Sequence, residues 1–292
     1  MTLPLASFSL IAGPCVLEDR GLNLEVAQEV KRLCDARGIP AVFKASFDKA
    51  NRSKPGAARG PGLEAGLERL AEVRGATGLP LLTDIHEPGQ CAAAGEVVDV
   101  LQIPAFLCRQ TDLVEAAGAT GRVVNIKKGQ WMAPEEMRAV VDKARQAGAG
   151  AVTLTERGTF FGYGNLVVDM RSFARMRAAT GAPAIFDGTH SVQRPGQADG
   201  ASGGDPEHIP SLVRAAVAAG CDGLFIETHP EPARAPSDAT NMLPLARLGA
   251  LLDEVAAIRR ALGLDSVTSR PADDASQAAG VGRATPGGAD HG

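Results

Sequence analysis

The chain has 292 residues and a formal net charge of −4, from 34 acidic and 30 basic side chains. This length can bury a large core, either as one barrel or as two ordinary domains. The acidic balance gives no electrostatic support to non-specific nucleic-acid binding. Aromatic residues make up only 4% of the chain, which argues against a base-stacking surface. We therefore expect no nucleic-acid partner.

The sequence predicts a cytoplasmic protein with no membrane partner. No apolar run approaches the length of a membrane span, and residues 1–7 lack the charged start and long apolar core of a signal peptide. The five cysteines are odd in number and contain no Cys-x-x-Cys pair. This usage is typical of reduced thiols rather than of a disulfide framework.

Short apolar runs alternate with amphipathic stretches along the chain. The predicted strands are Phe8–Ala12, Ala41–Lys44, Leu79–Asp84, Val97–Ile103, Val123–Lys127, Ala151–Thr155, Ala184–Asp187 and Gly223–Glu227. The predicted helices are Leu22–Arg37, Gly62–Thr77, Pro88–Ala94, Asp112–Ala119, Pro134–Ala147, Asp169–Thr180, Pro206–Ala219 and Pro244–Leu262. Eight strand–helix units predict an α/β fold, the (β/α)₈ TIM barrel. The alternative, a doubly wound sheet, lacks support because no glycine-rich dinucleotide fingerprint follows the first strand.

The composition changes near residue 265. From there the chain is mostly Ala, Gly, Ser, Pro and Asp, which cannot offset the entropy of ordering. We therefore expect one catalytic barrel over residues 1–264 and a disordered C-terminal tail over residues 265–292. The Gly-rich stretch Arg194–Asp205 predicts a mobile loop, which at the catalytic end of a barrel can act as a lid.

The stretch Lys44–Ser53 carries three cations where the second strand runs into a loop. They are interleaved with hydrogen-bonding groups, and the whole set is Lys44, Ser46, Lys49, Asn51, Arg52 and Ser53. This mixture suits a phosphorylated, hydroxyl-bearing ligand, because Arg forks onto phosphate oxygens and Lys adds a point charge. A solvated basic loop is the alternative.

Polar side chains follow every predicted strand of the barrel, at the end where barrel enzymes carry their chemistry. The set is Cys15, Lys44, Asp84, His86, Gln102, Lys127, Lys128, Gln130, Glu156, Arg157, Asp187, His190, Glu227, His229 and Asp238. One such strand end could be accidental. A full ring is hard to attribute to surface solvation.

The ring divides into two chemical subsets. Lys44, Lys49, Lys127 and Arg157, with Arg52 and Arg109 available, are too many cations to converge without anions, which indicates one or more phosphates and a carboxylate. The second subset offers one thiol, one imidazole and two carboxylates: Cys15, His190, Glu227 and Asp238.

The second subset is a candidate site for a divalent metal, namely zinc, iron or manganese. Each member also has a structural interpretation. Cys15 could be a small buried hydrophobe and His190 a hydrogen-bonded loop residue. Glu227 could pair with a lysine, and Asp238 could form a turn.

Several motifs together resemble one enzyme family over roughly residues 8–262. They are Ala12-Gly13-Pro14-Cys15, Lys44–Ser53, Arg59–Gly62, Thr83–Pro88, Gln102–Leu107, Arg109–Leu113, Asn125–Gln130, Phe161–Tyr163, Asn165–Asp169, Phe186-Asp187, Thr189–Gln193 and Glu227–Pro230. The family is that of the 3-deoxy-D-manno-octulosonate-8-phosphate synthases. The string Lys-Ala-Asn-Arg-Ser is the most discriminating, because related aldoheptulosonate synthases usually carry Lys-Pro-Arg-Thr there.

The resemblance implies a condensation of phosphoenolpyruvate with D-arabinose 5-phosphate and water. The products would be 3-deoxy-D-manno-octulosonate 8-phosphate and inorganic phosphate, for the inner core of bacterial lipopolysaccharide. It also implies a (β/α)₈ barrel assembled as a homotetramer.

The resemblance assigns roles by matching position. Lys44, Lys49, Lys127 and Arg157 would hold phosphoenolpyruvate, and Asn51, Arg52 and Ser53 the pentose phosphate, with Arg109 reaching over from a neighbouring subunit. Ser46, Asp84, Gln102 and Gln130 would support the substrates, and His86 would line the site. Catalysis would fall to Lys44, Lys49, His190 and Asp238.

In this family, metal-dependent members have Cys where metal-independent members have Asn. Cys15 therefore implies the metal-dependent class, with His190, Glu227 and Asp238 as the other ligands. One departure from the family pattern is Asp205-Pro206, where Arg often precedes Glu. The rival interpretations are an aldoheptulosonate synthase acting on erythrose 4-phosphate and a non-catalytic phosphate-binding barrel.

Overall fold

The computed structural model describes residues 5–50, 56, 58–195 and 203–264. Three predicted substrate-binding residues, Asn51, Arg52 and Ser53, lie outside the described residues. The predicted C-terminal tail and the middle of the predicted lid, residues 196–202, also lie outside them.

Eight parallel strands form a closed barrel, which confirms the predicted fold. The strands are β1 (Ser9–Val16), β2 (Ala41–Ser46), β3 (Leu81–Asp84), β4 (Val100–Ile103), β5 (Val123–Lys127), β6 (Ala151–Glu156), β9 (Ala184–Asp187) and β12 (Gly223–His229). Each strand pairs with the next in this order, and β12 pairs with β1. That last pairing closes the sheet and excludes the doubly wound alternative, whose sheet stays open.

Helices connect successive strands and cover the outside of the barrel. They are α1 (Arg20–Asp35), α2 (Leu63–Thr77), α3 (Cys91–Val97), α4 (Thr111–Ala119), α5 (Met137–Gln146), α6 (Ser172–Thr180), α7 (Ile209–Ala218) and α8 (Leu245–Ala261). The Asp19 carboxylate caps α1 by accepting from the Leu22 amide. Gly78 and Gly181 end α2 and α6 in the left-handed conformation, which glycine adopts without steric cost.

The buried apolar side chains form two clusters. The larger contains strand residues such as Leu10 and Phe43 together with helix residues such as Val26 and Leu70. The smaller cluster, called the floor below, consists of Leu5, Ile11, Val42, Leu82, Val100, Val123, Ile185 and Phe225. Since side chains alternate along a strand, the floor residues share the inward face with the polar residues that follow them.

The structure differs from the sequence prediction at several boundaries. β1 continues to Val16, so Cys15 lies inside the strand, and β4 begins at Val100 because α3 still includes Val97. An antiparallel hairpin, β7 (Thr159–Gly162) and β8 (Asn165–Val167), stands between β6 and α6. Short pairs were not predicted either: β10 (Gln193–Arg194) joins β11 (Gly203–Gly204), and β13 (Leu243–Pro244) joins β12.

No helix in the described part of the chain is both long enough and apolar enough to span a bilayer.

Candidate active site

Lys44 occupies the centre of the polar end of the barrel, with only 1% of its surface exposed. Its Nζ donates to Glu227 Oε1 at 2.6 Å and to the Cys15 carbonyl at 3.0 Å, and lies 3.5 Å from Asp84 Oδ2. Burial alone would lower the pKa of Lys44, but Glu227 and Asp84 outweigh it and raise the pKa. This lysine is therefore a permanent cation between two carboxylates.

Lys127 makes a second buried ion pair, with Asp187. Burial lowers the pKa of Lys127 against the pull of Asp187, whereas His190 and Lys127 together hold the pKa of Asp187 well below its usual range, despite its own burial. The low pKa of Asp187 keeps this carboxylate charged. The Lys127 Nζ also lies 3.5 Å from the centre of the Phe225 ring, so the floor offers this cation an aromatic face.

Asp187 also orients His190. Its Oδ2 lies 2.8 Å from His190 Nδ1, and its Oδ1 accepts the His190 backbone amide at 2.8 Å. A charged carboxylate only accepts, so Nδ1 carries a proton and Nε2 is the nitrogen that faces the site. There Nε2 lies 3.7 Å from Glu227 Oε2.

Arg157 is buried beside the ion pairs. One amino group donates to Gln193 Oε1 at 2.6 Å, and Gln193 Nε2 in turn donates to Asp238 Oδ1 at 3.1 Å. Among the described residues, Arg157 Nη1 and Gln130 Oε1 are buried without a hydrogen-bond partner. A buried guanidinium with an unpaired N–H group is costly, which suits a site that receives an anion.

Asp84 completes the polar end of the barrel. It accepts a hydrogen bond from the Ser46 hydroxyl, and its Oδ1 accepts from Gln102 Nε2 at 2.6 Å. Burial would raise the pKa of Asp84, but Lys44 and Lys49 outweigh it and hold the pKa far below its usual range. Asp84 therefore stays charged across the physiological range.

Cys15, Glu227 and Asp238 form a candidate metal site, because one ligand atom from each lies within 4.8 Å of the others. The Cys15 thiol donates to Asp238 Oδ2 at 3.1 Å. Within the described residues, Glu227 Oε2 is buried without a hydrogen-bond partner and faces His190. A thiol, two carboxylates and an adjacent imidazole fit a divalent metal such as zinc, iron or manganese.

The backbone at this candidate metal site is strained. Cys15 and Asp238 have φ values of +72° and +50°, two of the few non-glycine residues with positive φ in the described chain. Burial and then Glu227 raise the pKa of the Cys15 thiol well above its usual range. The thiolate form therefore needs a cation beside it, which a metal would supply.

The structure places the remaining predicted residues at different distances from this centre. Lys49 is half-buried beside Cys15 and Lys44, and His86 packs edge-on against Phe47. Arg109 is exposed and lines a separate cleft with Thr111, Met132, Glu136 and Lys143. Within one chain, the fold therefore does not bring the exposed Arg109 to the cation cluster.

The departure at Asp205 lies at the base of the predicted lid. Its carboxylate makes a bidentate pair with Arg194, one bond being 2.6 Å from Nε to Oδ2. Asp205 thus fastens one end of residues 194–205 to the other, next to the Gln193–Gly204 pairing.

The sequence-based predictions assign no role to Gln193 or Asn125, although both make side-chain hydrogen bonds at the polar end of the barrel. Gln193 bridges the buried Arg157 and the Asp238 carboxylate of the candidate metal site. Asn125 lies inside β5 with no exposed surface. Asparagine is rare in buried strands, and its place between Val124 and Ile126 was the available signal.

Comparison with known proteins identifies the family to which this chain belongs. Residues 6–261 match the model of the DAHP synthetase I family. A 2-dehydro-3-deoxyphosphooctonate aldolase of Rhodopseudomonas palustris (strain TIE-1) is 58% identical over 250 residues, covering 86% of each chain. One of Nitratidesulfovibrio vulgaris (strain DP4) is 56% identical over 249 residues, covering 85% of this chain and 91% of the relative. One of Bradyrhizobium sp. (strain BTAi1) is 55% identical over 272 residues, covering 93% and 92%. The chain belongs to the DAHP synthetase I family and, within it, to the 2-dehydro-3-deoxyphosphooctonate aldolases.

Proposed function

We propose that this chain condenses phosphoenolpyruvate with D-arabinose 5-phosphate and water, giving 3-deoxy-D-manno-octulosonate 8-phosphate and inorganic phosphate. The observation that carries the proposal is the buried Arg157, whose Nη1 has no hydrogen-bond partner among the described residues, at the same barrel end as Lys44 and Lys127. Buried cations with unused donors recognise an anion that carries several acceptor oxygens. Family membership identifies that anion's class.

Phosphoenolpyruvate is held by Lys44, Lys49, Lys127 and Arg157, which match its phosphate and carboxylate in charge. Glu227 and Asp187 already partner Lys44 and Lys127, so these two lysines are fixed before substrate arrives. Arg157 keeps one amino group on Gln193 and offers the other to the substrate.

The pentose phosphate is held by Asn51, Arg52 and Ser53 at the end of the Lys44–Ser53 stretch, with Ser46, Asp84, Gln102 and Gln130 supporting both substrates. Arg109 serves the active site of a neighbouring subunit in a homotetramer. The exposure of Arg109 on the outer face of its own chain supports this role.

Cys15, His190, Glu227 and Asp238 hold a divalent metal. When bound, the metal supplies a Lewis acid that orients the aldehyde or the attacking water. The orientation of His190 by Asp187 leaves Nε2 free for that role. Gln193 keeps Asp238 in place by donating to its other oxygen.

The chemistry then depends on positioning. The enol carbon of phosphoenolpyruvate is a weak nucleophile and must be held close to the aldehyde carbon for attack. The lysines and Arg157 neutralise two anionic substrates that would otherwise repel each other. Water adds to the developing positive carbon, and the carbon–oxygen bond of the phosphate ester breaks in the tetrahedral intermediate, releasing phosphate. The Lys44–Glu227–Asp84 group supplies charges that need no rearrangement during these steps.

Phosphate release tests this function directly. The purified chain is assayed with phosphoenolpyruvate plus either D-arabinose 5-phosphate or erythrose 4-phosphate, and its metal content is measured. We expect release with the pentose phosphate. Release with only the tetrose phosphate would identify an aldoheptulosonate synthase, and binding without release would identify a non-catalytic barrel. A cytoplasmic location fits this reaction, since both substrates are intracellular sugar or glycolytic phosphates.

A further inference from the structure

A chain of hydrogen bonds crosses the inside of the barrel from β6 to β3. The hydroxyls of Thr153 and Thr155 both donate to Asn125 Oδ1, at 3.0 and 2.9 Å. Asn125 Nδ2 donates to Gln102 Oε1 at 2.8 Å, and Gln102 Nε2 donates to Asp84 Oδ1 at 2.6 Å. The five side chains are buried, and every link joins neighbouring strands.

The strand register sets the spacing between successive side chains of this hydrogen-bonded network. Gln102 lies directly opposite Asn125, and Asn125 directly opposite Thr153, in adjacent parallel strands. Such positions are about 4.8 Å apart, a distance that two amide side chains bridge with one hydrogen bond. Buried polar side chains are tolerated when their network is satisfied, and here each link has a partner.

The direction of the chain is fixed from one end by chemistry. The charged Asp84 carboxylate only accepts, so Gln102 must turn its Nε2 towards it. That leaves Gln102 Oε1 for Asn125, which must then offer Nδ2. Asn125 Oδ1 is left for the two threonine hydroxyls, and both must donate. Reversing any amide would set two acceptors or two donors against each other.

Asp84 connects the chain to the reacting groups. Its Oδ2 accepts from Ser46 and lies 3.5 Å from Lys44 Nζ. The orientation of the Asp84 carboxylate therefore decides where two neighbours of the substrate site lie. The four side chains behind Asp84 lie above the apolar floor of the barrel.

We propose that Asn125 is a positioning residue for the condensation: it fixes the direction of the Gln102 amide, which aims Asp84 at Ser46 and Lys44. This inference rests on the proposed function, and it assigns a role to a residue that touches no substrate. Asn125, like Gln102, both donates and accepts within this network, but it lies one strand further from Lys44, three strands away in the barrel.

Two substitutions at Asn125 test whether its donor and acceptor groups set the direction of the Gln102 amide. Asn125→Leu removes both functions at similar size, and Asn125→Asp keeps the acceptor but donates only when protonated. Misplacing catalytic groups by about 1 Å costs up to about 100-fold in turnover. We therefore expect Asn125→Leu to lower kcat by up to about 100-fold at every pH, with a smaller change in KM for phosphoenolpyruvate.

For Asn125→Asp we expect a loss that depends on pH. The protonated form of the introduced carboxyl donates to Gln102 Oε1 and preserves the chain, whereas the ionised form draws the Gln102 amide round and turns its oxygen towards Asp84. The kcat relative to wild type should therefore fall as the pH rises from about 6 to 9, since burial raises carboxyl pKa values. The charged groups that face this position are Asp84 and Lys44 beyond Gln102, and Lys127 with Asp187 further along the barrel.

Threonine variants keep the test informative if substitution of Asn125 prevents folding. Thr155→Val removes one donor to Asn125 Oδ1 at constant shape, and Thr155→Ser restores it. We expect Thr155→Val to lose several-fold in kcat and Thr155→Ser to recover most of that. The matched control is Thr83→Val, which deletes a buried hydroxyl that donates to the Ala45 carbonyl at 2.9 Å and takes no part in the chain. It should lower thermal stability and leave kcat near wild type.

The outcomes separate the two proposals. Wild-type protein without phosphate release would remove the proposed function, and this inference with it. If the wild type is active, two results would overturn the role of Asn125 alone. One is a kcat of Asn125→Asp, relative to wild type, that does not change with pH. The other is a kcat of Thr155→Val no lower than that of Thr83→Val.

Discussion

The inside of the barrel has an apolar floor and a polar mouth, and the same strands build both. On most strands the floor residue and the mouth residue are two positions apart. The pairs are Val42 and Lys44, Leu82 and Asp84, Val100 and Gln102, Val123 and Asn125, Ile185 and Asp187, and Phe225 and Glu227. Two residues are one repeat of a strand, so both members face inwards. Each of these strands thus carries a residue of the apolar floor and, two positions later, a residue of the polar mouth.

The two layers satisfy different physical demands. Floor residues contribute by leaving water and packing closely, so their shape matters more than their direction. Mouth residues are buried almost as completely, yet several of their charges are paired, as with Lys44 between Asp84 and Glu227. Phe225 belongs to both layers, because its ring faces Lys127 at 3.5 Å and Lys44 at 5.4 Å.

The largest effect is expected from removing a central charge. Lys44→Met leaves Glu227 and Asp84 buried without their shared cation, which for buried pairs costs about 3–5 kcal/mol. It also removes the contact that we propose Lys44 makes to phosphoenolpyruvate, so we expect turnover to fall by about 1,000-fold or more. Phosphate release and thermal unfolding measure the two losses. Lys31→Met removes a lysine from an exposed pair with Asp35 and should change neither. Retained turnover in Lys44→Met would contradict a central role.

The next effect concerns the candidate metal site. Cys15→Ala should lose the bound metal and most activity, measured by metal analysis and phosphate release. Cys34→Ala, at a buried cysteine of α1, is the control and should keep both. Cys15→Asn should retain some turnover without metal if the role of the metal is only to orient the aldehyde or the attacking water. Full wild-type activity in excess chelator would contradict metal dependence.

The strands of both layers could be predicted from sequence, because a strand buried on both faces is a run of apolar residues between turn signals. The floor follows directly from such runs. The charged members of the mouth could also be predicted, since Lys44 or Glu227 at the end of an apolar run is conspicuous. Their pairing could not, because it depends on which strands become neighbours.

Other features gave no usable signal. Thr153 and Thr155 are β-branched and fit a strand whether or not their hydroxyls are used. The β7–β8 hairpin is short and partly exposed, so its pattern resembles a loop. The positive φ of Cys15 follows from a bulge where β1 meets β2, a property of the pairing rather than of the residue.

A change in the floor should affect stability and leave chemistry intact. Leu82→Ala, two residues before Asp84, creates a cavity in a fully buried cluster, and such changes cost about 2–5 kcal/mol. We expect a lower midpoint in chemical denaturation and a kcat per folded molecule close to wild type. A large loss of kcat with preserved stability would mean that the floor positions the mouth, and the division between the layers would fail.

The smallest effect is expected in the acid dependence of stability. Asp84 and Asp187 have pKa values held below those of unfolded aspartate, which is about 3.9. Their ionisation therefore contributes stability that is fully present above about pH 4 and is lost as the pH falls further, because the unfolded chain takes up protons first. Asp187→Asn should flatten the fall of the melting temperature below that pH, whereas Leu82→Ala should lower the melting temperature equally at every pH. Parallel curves for the two variants would contradict the view that charge, rather than packing, stabilises the mouth.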